Sequence, residues 1–148
     1  MQIASIMTTR LVTARPDDDL KSIKSIFEKA GFHHLLIVDG GKLQGIISDR
    51  DLLRNMSPFF GTLSERPQDV ATVNKKAHQI MTRALITVAP ETALADAIAL
   101  LLSRKISSLP VVTAEGDLVG IVTWRDLLRA SQLPPSSPAS GSAAAQTP

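Results

Sequence analysis

The ten residues GIISDRDLLR at 45–54 return as GIVTWRDLLR at 120–129. The match extends backwards: IMTTRLVTARPDDDL, from Ile6, faces IMTRALITVAPETAL, from Ile80, at a constant offset of 74. A one-residue insertion near TAEGD moves the offset to 75, at a place where a tight turn absorbs length at little cost. Most of the chain is therefore one unit written twice, and any fold must accommodate two like halves.

Each copy carries the same succession of signals. A short β segment (LVTA, LITVA) runs into Pro16 or Pro90 and an acidic helix start. An amphipathic helix follows, with Leu20, Ile23, Ile26, Phe27 and Ala30 at helical spacing in one copy. Leu94, Ala97, Ile98, Leu101 and Leu102 repeat that stripe in the other. Two β segments then form a hairpin, HLLIVD with LQGIIS and LPVVT with LVGIVT, turning at Gly40-Gly41 and Glu115-Gly116. A last helix opens at DRDLLR or WRDLLR. The expected fold class is α/β (α+β): two pseudo-symmetric β-α-β-β-α units packed sheet to sheet, since one such unit alone is too small to cover its own sheet.

The expected boundaries are repeat 1 at 3–56, a linker at 57–76, repeat 2 at 77–131 and a tail at 132–148. In the linker, Pro67 opens a helix that turns Val70 and Val73 inward, and Phe59 and Phe60 pack on the core. The tail is too rich in Pro, Ser and Ala to offset its chain entropy, and is expected to be disordered.

Composition removes several classes of function. A formal charge of +2, with basic residues scattered among acidic ones, offers no phosphate-neutralising stripe for nucleic acid. No apolar run approaches the roughly 20 residues of a membrane span, and no secretory leader is visible. The absence of cysteine fits a reducing compartment, so a cytoplasmic location is expected. With no cysteine or tyrosine, no His-x-x-x-His and no Gly-rich loop ending in lysine, neither a nucleophile–base pair nor a metal centre is foreseen. The chain is not expected to be an enzyme.

The repeated hydroxyl–x–x–Asp, Ser48 to Asp51 and Thr123 to Asp126, has a local explanation. Ser or Thr caps the helix and the aspartate three residues on closes a capping box. The same groups stand at the end of a strand beside a helix N-terminus, where free N–H groups and the dipole favour an anion. A carboxylate there can also accept the adjacent 2′- and 3′-hydroxyls of a ribose. Gly45 and Gly120 permit close backbone approach nearby.

The duplicated unit ending in Gly–hydrophobic–hydrophobic–Ser/Thr–x–x–Asp resembles the cystathionine-β-synthase (CBS) domain, here as a tandem pair, or Bateman module. The resemblance covers about residues 3 to 131, including both IMT starts, LPVVT, GIISDRD and GIVTWRD. It implies two clefts between the repeats that bind adenosine compounds: AMP, ADP, ATP or S-adenosylmethionine. One cleft would set Ser48 and Asp51 opposite Ile86, Thr87, Ser107, Ser108 and Pro110. The other would set Thr123 and Asp126 opposite Val12, Thr13, His33 and His34. Arg50 and Arg125 become phosphate candidates, being permanently charged and able to fork onto oxygens. The histidines favour the Asp126 cleft for a charged phosphate tail. Leu36, where the second copy has Pro110, departs from the family pattern and threatens the first repeat's turn. Trp124 is expected to pack.

The resemblance further implies a homodimer formed through helix faces and a regulatory role passed to a separate effector protein. The competing reading is an interaction protein whose motifs are only caps, with Phe59 and Phe60 in its partner surface.

Overall fold

The helix at Leu20–Ala30, α1, begins where the Asp19 carboxylate accepts the Ser22 N–H at 2.8 Å, and stops at Gly31, whose φ of 69° an L side chain rarely adopts. That bond also holds the Asp19 carboxyl below its ordinary range. The computed structural model in which these elements are seen describes residues 1–31 and 33–132. Gln132 closes the last helix, and the remainder of the expected tail lies outside the described residues.

The first copy runs β1 (Thr13–Ala14), α1, β2 (His34–Asp39), β3 (Lys42–Ser48) and α2 (Asp49–Asn55). The linker carries α3 (Pro67–Thr72). The second copy runs α4 (Ala77–Ile80), α5 (Leu94–Arg104), β4 (Ser108–Val112), β5 (Leu118–Thr123) and α6 (Trp124–Ser131). Opposite α4, the first copy has a single 3-10 turn at Ile3–Ser5. β2 and β3 form an antiparallel hairpin with β1 parallel to β2, and β4 pairs with β5 in the same antiparallel sense. The architecture is thus the mixed α/β arrangement of two pseudo-symmetric halves.

The halves differ at their first strand. In the second copy LITVA makes no named strand, only a parallel bridge from Val88 to Val111. The equivalent pairing in the first copy has one rung more, Thr13 with Leu36. Pro110 stands where Leu36 does and has no N–H to give to the ladder, so that rung is lost.

Two cores form, and they exchange their leading segments. Leu20, Ile23, Leu35, Ile37 and Ile47 pack with Ala77 and Met81, which precede the second copy's sheet in sequence. Leu109, Val111, Val122 and Ala97 pack with Ile3, from the opposite end of the chain. Ile3 is fully buried, a placement that stabilises by about 1.5–3 kcal/mol for a side chain of its size. The exchange is sealed by paired backbone hydrogen bonds. Thr8 and Ile121 exchange N–H···O bonds of 2.9 and 3.0 Å, and Thr82 and Ile46 exchange bonds of 2.9 and 3.1 Å. At the hairpin turns, Lys42 reaches across to Asp117 at 2.6 Å and to the Glu115 carbonyl at 2.8 Å.

Several expectations for packing are corrected. Val73 is buried but Val70 is exposed: Val73 is the C-cap beyond α3, and within the helix the buried residue is Asp69. Phe59 is exposed, and Phe60 lies half-buried with the Lys24 ammonium 5.9 Å from its ring, outside both cores. Ala30 and Leu102 face outward at the ends of their helices. Trp124 is 49% exposed rather than packed.

Candidate functional site

Both hydroxyl–x–x–Asp strings form the capping boxes their spacing implies. The Asp51 Oδ2 accepts the Ser48 N–H at 2.9 Å, and the Ser48 hydroxyl accepts the Asp51 N–H at 3.0 Å. In the second copy Asp126 Oδ2 accepts both the Thr123 N–H at 2.9 Å and the Thr123 hydroxyl at 3.0 Å. The carboxylate therefore spends one oxygen on the cap. Its Oδ1 receives no hydrogen bond among the described residues, in either copy. That oxygen is chemically available to a ligand.

The glycines serve the fold rather than the open cleft. They lie within β3 and β5, and what approaches them is the leading segment of the opposite copy. A Cβ at Gly45 would stand 2.6 Å from the Met81 sulfur, and one at Gly120 would stand 2.7 Å from that of Met7. The repeated IMT and the repeated glycine are thus two sides of one contact.

Two clefts open where the halves meet. The larger, about 790 Å³, has Ser48 and Asp51 from the first copy facing Ile86, Ser107, Ser108 and Pro110 from the second. The smaller, about 430 Å³, has Thr123 from the second copy facing Val12, His33, His34 and Leu36 from the first. Strand register sets this composition, because His34 is opposite Ser48 and Ser108 is opposite Thr123. Aliphatic surface from Ile46, Ile86 and Pro110 in one cleft, and Val12, Leu36 and Ile121 in the other, suits a flat apolar ring. Leu36 leaves its cleft open.

Three expected residues do not line the clefts. Thr13 and Thr87 are exposed and line neither cleft, whereas the residues before them, Leu11 with Val12 and Leu85 with Ile86, do. Asp126 lies behind Thr123, whose hydroxyl is turned onto its carboxylate. Other lining residues escaped the sequence reading. Thr8 with Arg10, and Thr82 with Ala84, follow the two repeated IM dipeptides and enter opposite clefts; the repetition of that string was the available signal. Lys105, on the larger cleft, holds the position of Gly31 with a φ of 53°.

Charge gathers at the cleft mouths. Arg50, Lys105 and Arg125 line the larger cleft, and Arg10 and Arg125 the smaller, none with an ion-pair partner among the described residues. His33 and His34 line both, so they do not distinguish the clefts as expected. His33 Nδ1 lies 2.9 Å from Asp49 Oδ2, and that hydrogen bond is the chief cause holding the Asp49 carboxyl below its usual range. His34 Nε2 lies 3.1 Å from the Ser107 hydroxyl of the other half. Burial lowers the His34 pKa, against the pull of the Asp49 and Asp51 carboxylates. No group of three or more His, Cys, Asp or Glu able to hold a metal occurs among the described residues.

Comparison with known proteins agrees with this geometry. The model of the CBS domain matches residues 3–58 and again 77–133. Inosine-5′-monophosphate dehydrogenase of Mycobacterium leprae is 32% identical over 86% of the chain, which spans only 22% of that enzyme. The chain covers less than half the length of several of its curated relatives. Among solved structures, CBSX2 of Arabidopsis thaliana in complex with AMP superposes with a TM-score of 0.74 at 31% identity, covering 88% of this chain and 95% of that one. The CBS domain pair of protein MJ0100, in complex with 5′-methylthioadenosine and S-adenosyl-L-methionine, gives a TM-score of 0.72 at 28% identity, covering 88% and 95%. No helix among the described residues is long and apolar enough to cross a membrane.

Proposed function

The chain belongs to the CBS domain family as a tandem pair, and from that premise we propose that it is a regulatory module binding an adenosine compound between its halves. The observation that carries the reading is the Oδ1 of Asp51, without a hydrogen bond among the described residues, beside a cleft of about 790 Å³ that has aliphatic surface and three cations without an ion-pair partner among those residues. Ribose hydroxyls would donate to that oxygen, and adenine would lie against Ile46, Ile86 and Pro110. The phosphate would meet Arg50, Lys105 and Arg125. The structural neighbours bound to AMP and to S-adenosyl-L-methionine support the ligand class. AMP, ADP, ATP and S-adenosylmethionine are the candidates.

The larger cleft, not that of Asp126, is the better phosphate site, because it adds Arg50 and Lys105 to the shared Arg125. Thr123 and its neighbours form a second, weaker site. The Ser107 hydroxyl meets His34 Nε2 at 3.1 Å, but no carboxylate hydrogen-bonds the His34 ring among the described residues, and no catalytic step is proposed. A ligand touching both halves acts by favouring one of their packings, with the effect read by a separate effector protein in the cytoplasm. The exposed Leu102 and Leu128, with Ile98 and Leu127 between α5 and α6, suit a homodimer contact between helix faces.

Thermal unfolding with each candidate ligand tests the function. A ligand present at a hundred times its dissociation constant adds about 2.7 kcal/mol to stability. An unchanged melting curve with all four would overturn the reading and leave the motifs as caps.

A further inference from the structure

The two clefts are not built alike at their junction. By the pseudo-symmetry of the chain, Arg50 corresponds to Arg125 and Asp49 to Trp124. Arg50 and Asp49 line only the larger cleft, whereas Trp124 and Arg125 line both. The Arg125 guanidinium carbon lies 5.1 Å from the centre of the half-exposed Trp124 ring, within cation–π range, a contact that leaves its charge unneutralised. No carboxylate pairs with it among the described residues.

We infer that Arg125 is a single phosphate-binding group contested by both clefts, so that a phosphate-bearing ligand in one weakens the binding of a second in the other. The inference rests on the nucleotide reading and adds a regulation to it. A guanidinium recognises phosphate by turning one edge of its planar fork onto two oxygens. Beside Trp124 and lining both clefts, a single fork can meet the phosphate of only one cleft at a time. The larger cleft retains Arg50 and Lys105 when Arg125 is withdrawn, and the smaller retains only Arg10. The larger cleft therefore fills first, and the smaller takes its nucleotide with the shared cation already engaged. Coupling of this kind is reciprocal. It depends on the phosphate, so adenosine, which lacks one, should occupy the clefts independently.

Calorimetric titration of the full chain tests this. Ala30→Trp fills the smaller cleft from the exposed end of α1, and Ala84→Trp fills the larger from its own exposed lining position after Thr82. These variants give the AMP affinity of each cleft with the other silent. The expected result is a second AMP step in the unaltered chain about tenfold weaker than the smaller cleft alone, within the usual range of coupling between sites. With adenosine the steps should match the single-cleft values, and with Arg125→Met the tenfold gap for AMP should close. AMP steps that match the single-cleft affinities, a gap that survives Arg125→Met, or a second step that is tighter would each overturn the shared-cation inference while leaving nucleotide binding intact. An absence of binding by both AMP and adenosine would overturn the nucleotide reading, and this inference with it.

Discussion

Replacing Asp51 by asparagine separates the two tasks of one carboxylate. In the folded chain Oδ2 accepts the Ser48 N–H at 2.9 Å, and Oδ1 has no partner among the described residues. Asparagine can keep the first bond through its amide oxygen and must then present an NH2, a donor, where the free oxygen stood. The helix start loses a charge worth about 0.3–1 kcal/mol, and little else. Asp51→Ala also strands the Ser48 N–H, at about 1–3 kcal/mol. Binding should divide the variants differently. A hydrogen bond to a charged acceptor contributes about 1.5–3 kcal/mol, so losing one weakens AMP in the larger cleft about 10- to 150-fold. Both variants should show that loss, and only the alanine variant a marked drop in stability. Calorimetric titration measures the affinity and urea denaturation the stability. AMP affinity in the asparagine variant within twofold of the unaltered chain would refute the reasoning, because the carboxylate would then be a cap alone.

Gly120→Ala should cost about 1–3 kcal/mol in urea denaturation by overpacking, since its Cβ would stand 2.7 Å from the Met7 sulfur and 3.1 Å from the Thr8 carbonyl oxygen. Adding Met7→Ala should recover only part of the loss, because the carbonyl cannot step aside; full additivity of the two losses would contradict the contact. Lys105→Gly relieves a left-handed backbone, φ 53°, and should raise stability by about 1 kcal/mol while weakening AMP several-fold in the larger cleft, read by denaturation and titration of the same sample. The melting temperature should also depend on pH through His34. Burial lowers its folded pKa below the ordinary 6.5, so the unfolded chain takes up the proton first. Stability is then full above about 6.5 and falls as pH descends through that value toward the folded pKa. The hydrogen-bonded Asp19, Asp49 and Asp69 are lowered from 3.8 and lose their contributions only in the more acidic range, as pH falls through their folded values. His34→Gln should flatten the step near neutrality and leave the acid limb; a step that persists would assign it elsewhere.

The order of elements could be read from the chain because each depends on local chemistry written twice. Helix periodicity, glycines in both hairpin turns and a hydroxyl three residues before an aspartate act over a few residues, and the second copy checks the first. What escaped depends on distance. Nothing near Ile3 says that it is buried in the second core, or that Met81 lies against Gly45, since periodicity names an inward face without naming what it meets. The same limit explains Trp124 and Phe59. Both are large and apolar, so burial is the natural expectation, but each stands where its own half offers no further neighbour. Asp126 shows a finer failure. Its spacing matches that of Asp51, yet the Thr123 hydroxyl, besides accepting the Asp126 N–H at 3.4 Å, donates to the carboxylate at 3.0 Å, whereas Ser48 accepts the Asp51 N–H at 3.0 Å and makes no such bond to its aspartate among the described residues.

The exchanged leading segments bear on how such a module can respond. Because residues before each sheet complete the other half's core, neither half can separate from its partner without exposing Ile3 or Met81. Wholesale opening is thereby made costly, and the remaining freedom lies where the halves meet through polar contacts: His34 with Ser107, and Lys42 with Asp117. These contacts are partly or fully exposed to solvent, so individually they contribute little, and the relative angle of the halves can shift at small cost. A ligand that held Asp51 on one side and Ile86 on the other, as proposed above, would act on that coordinate. The apolar exchange holds the pair together, and the weakness of the polar seam leaves it adjustable.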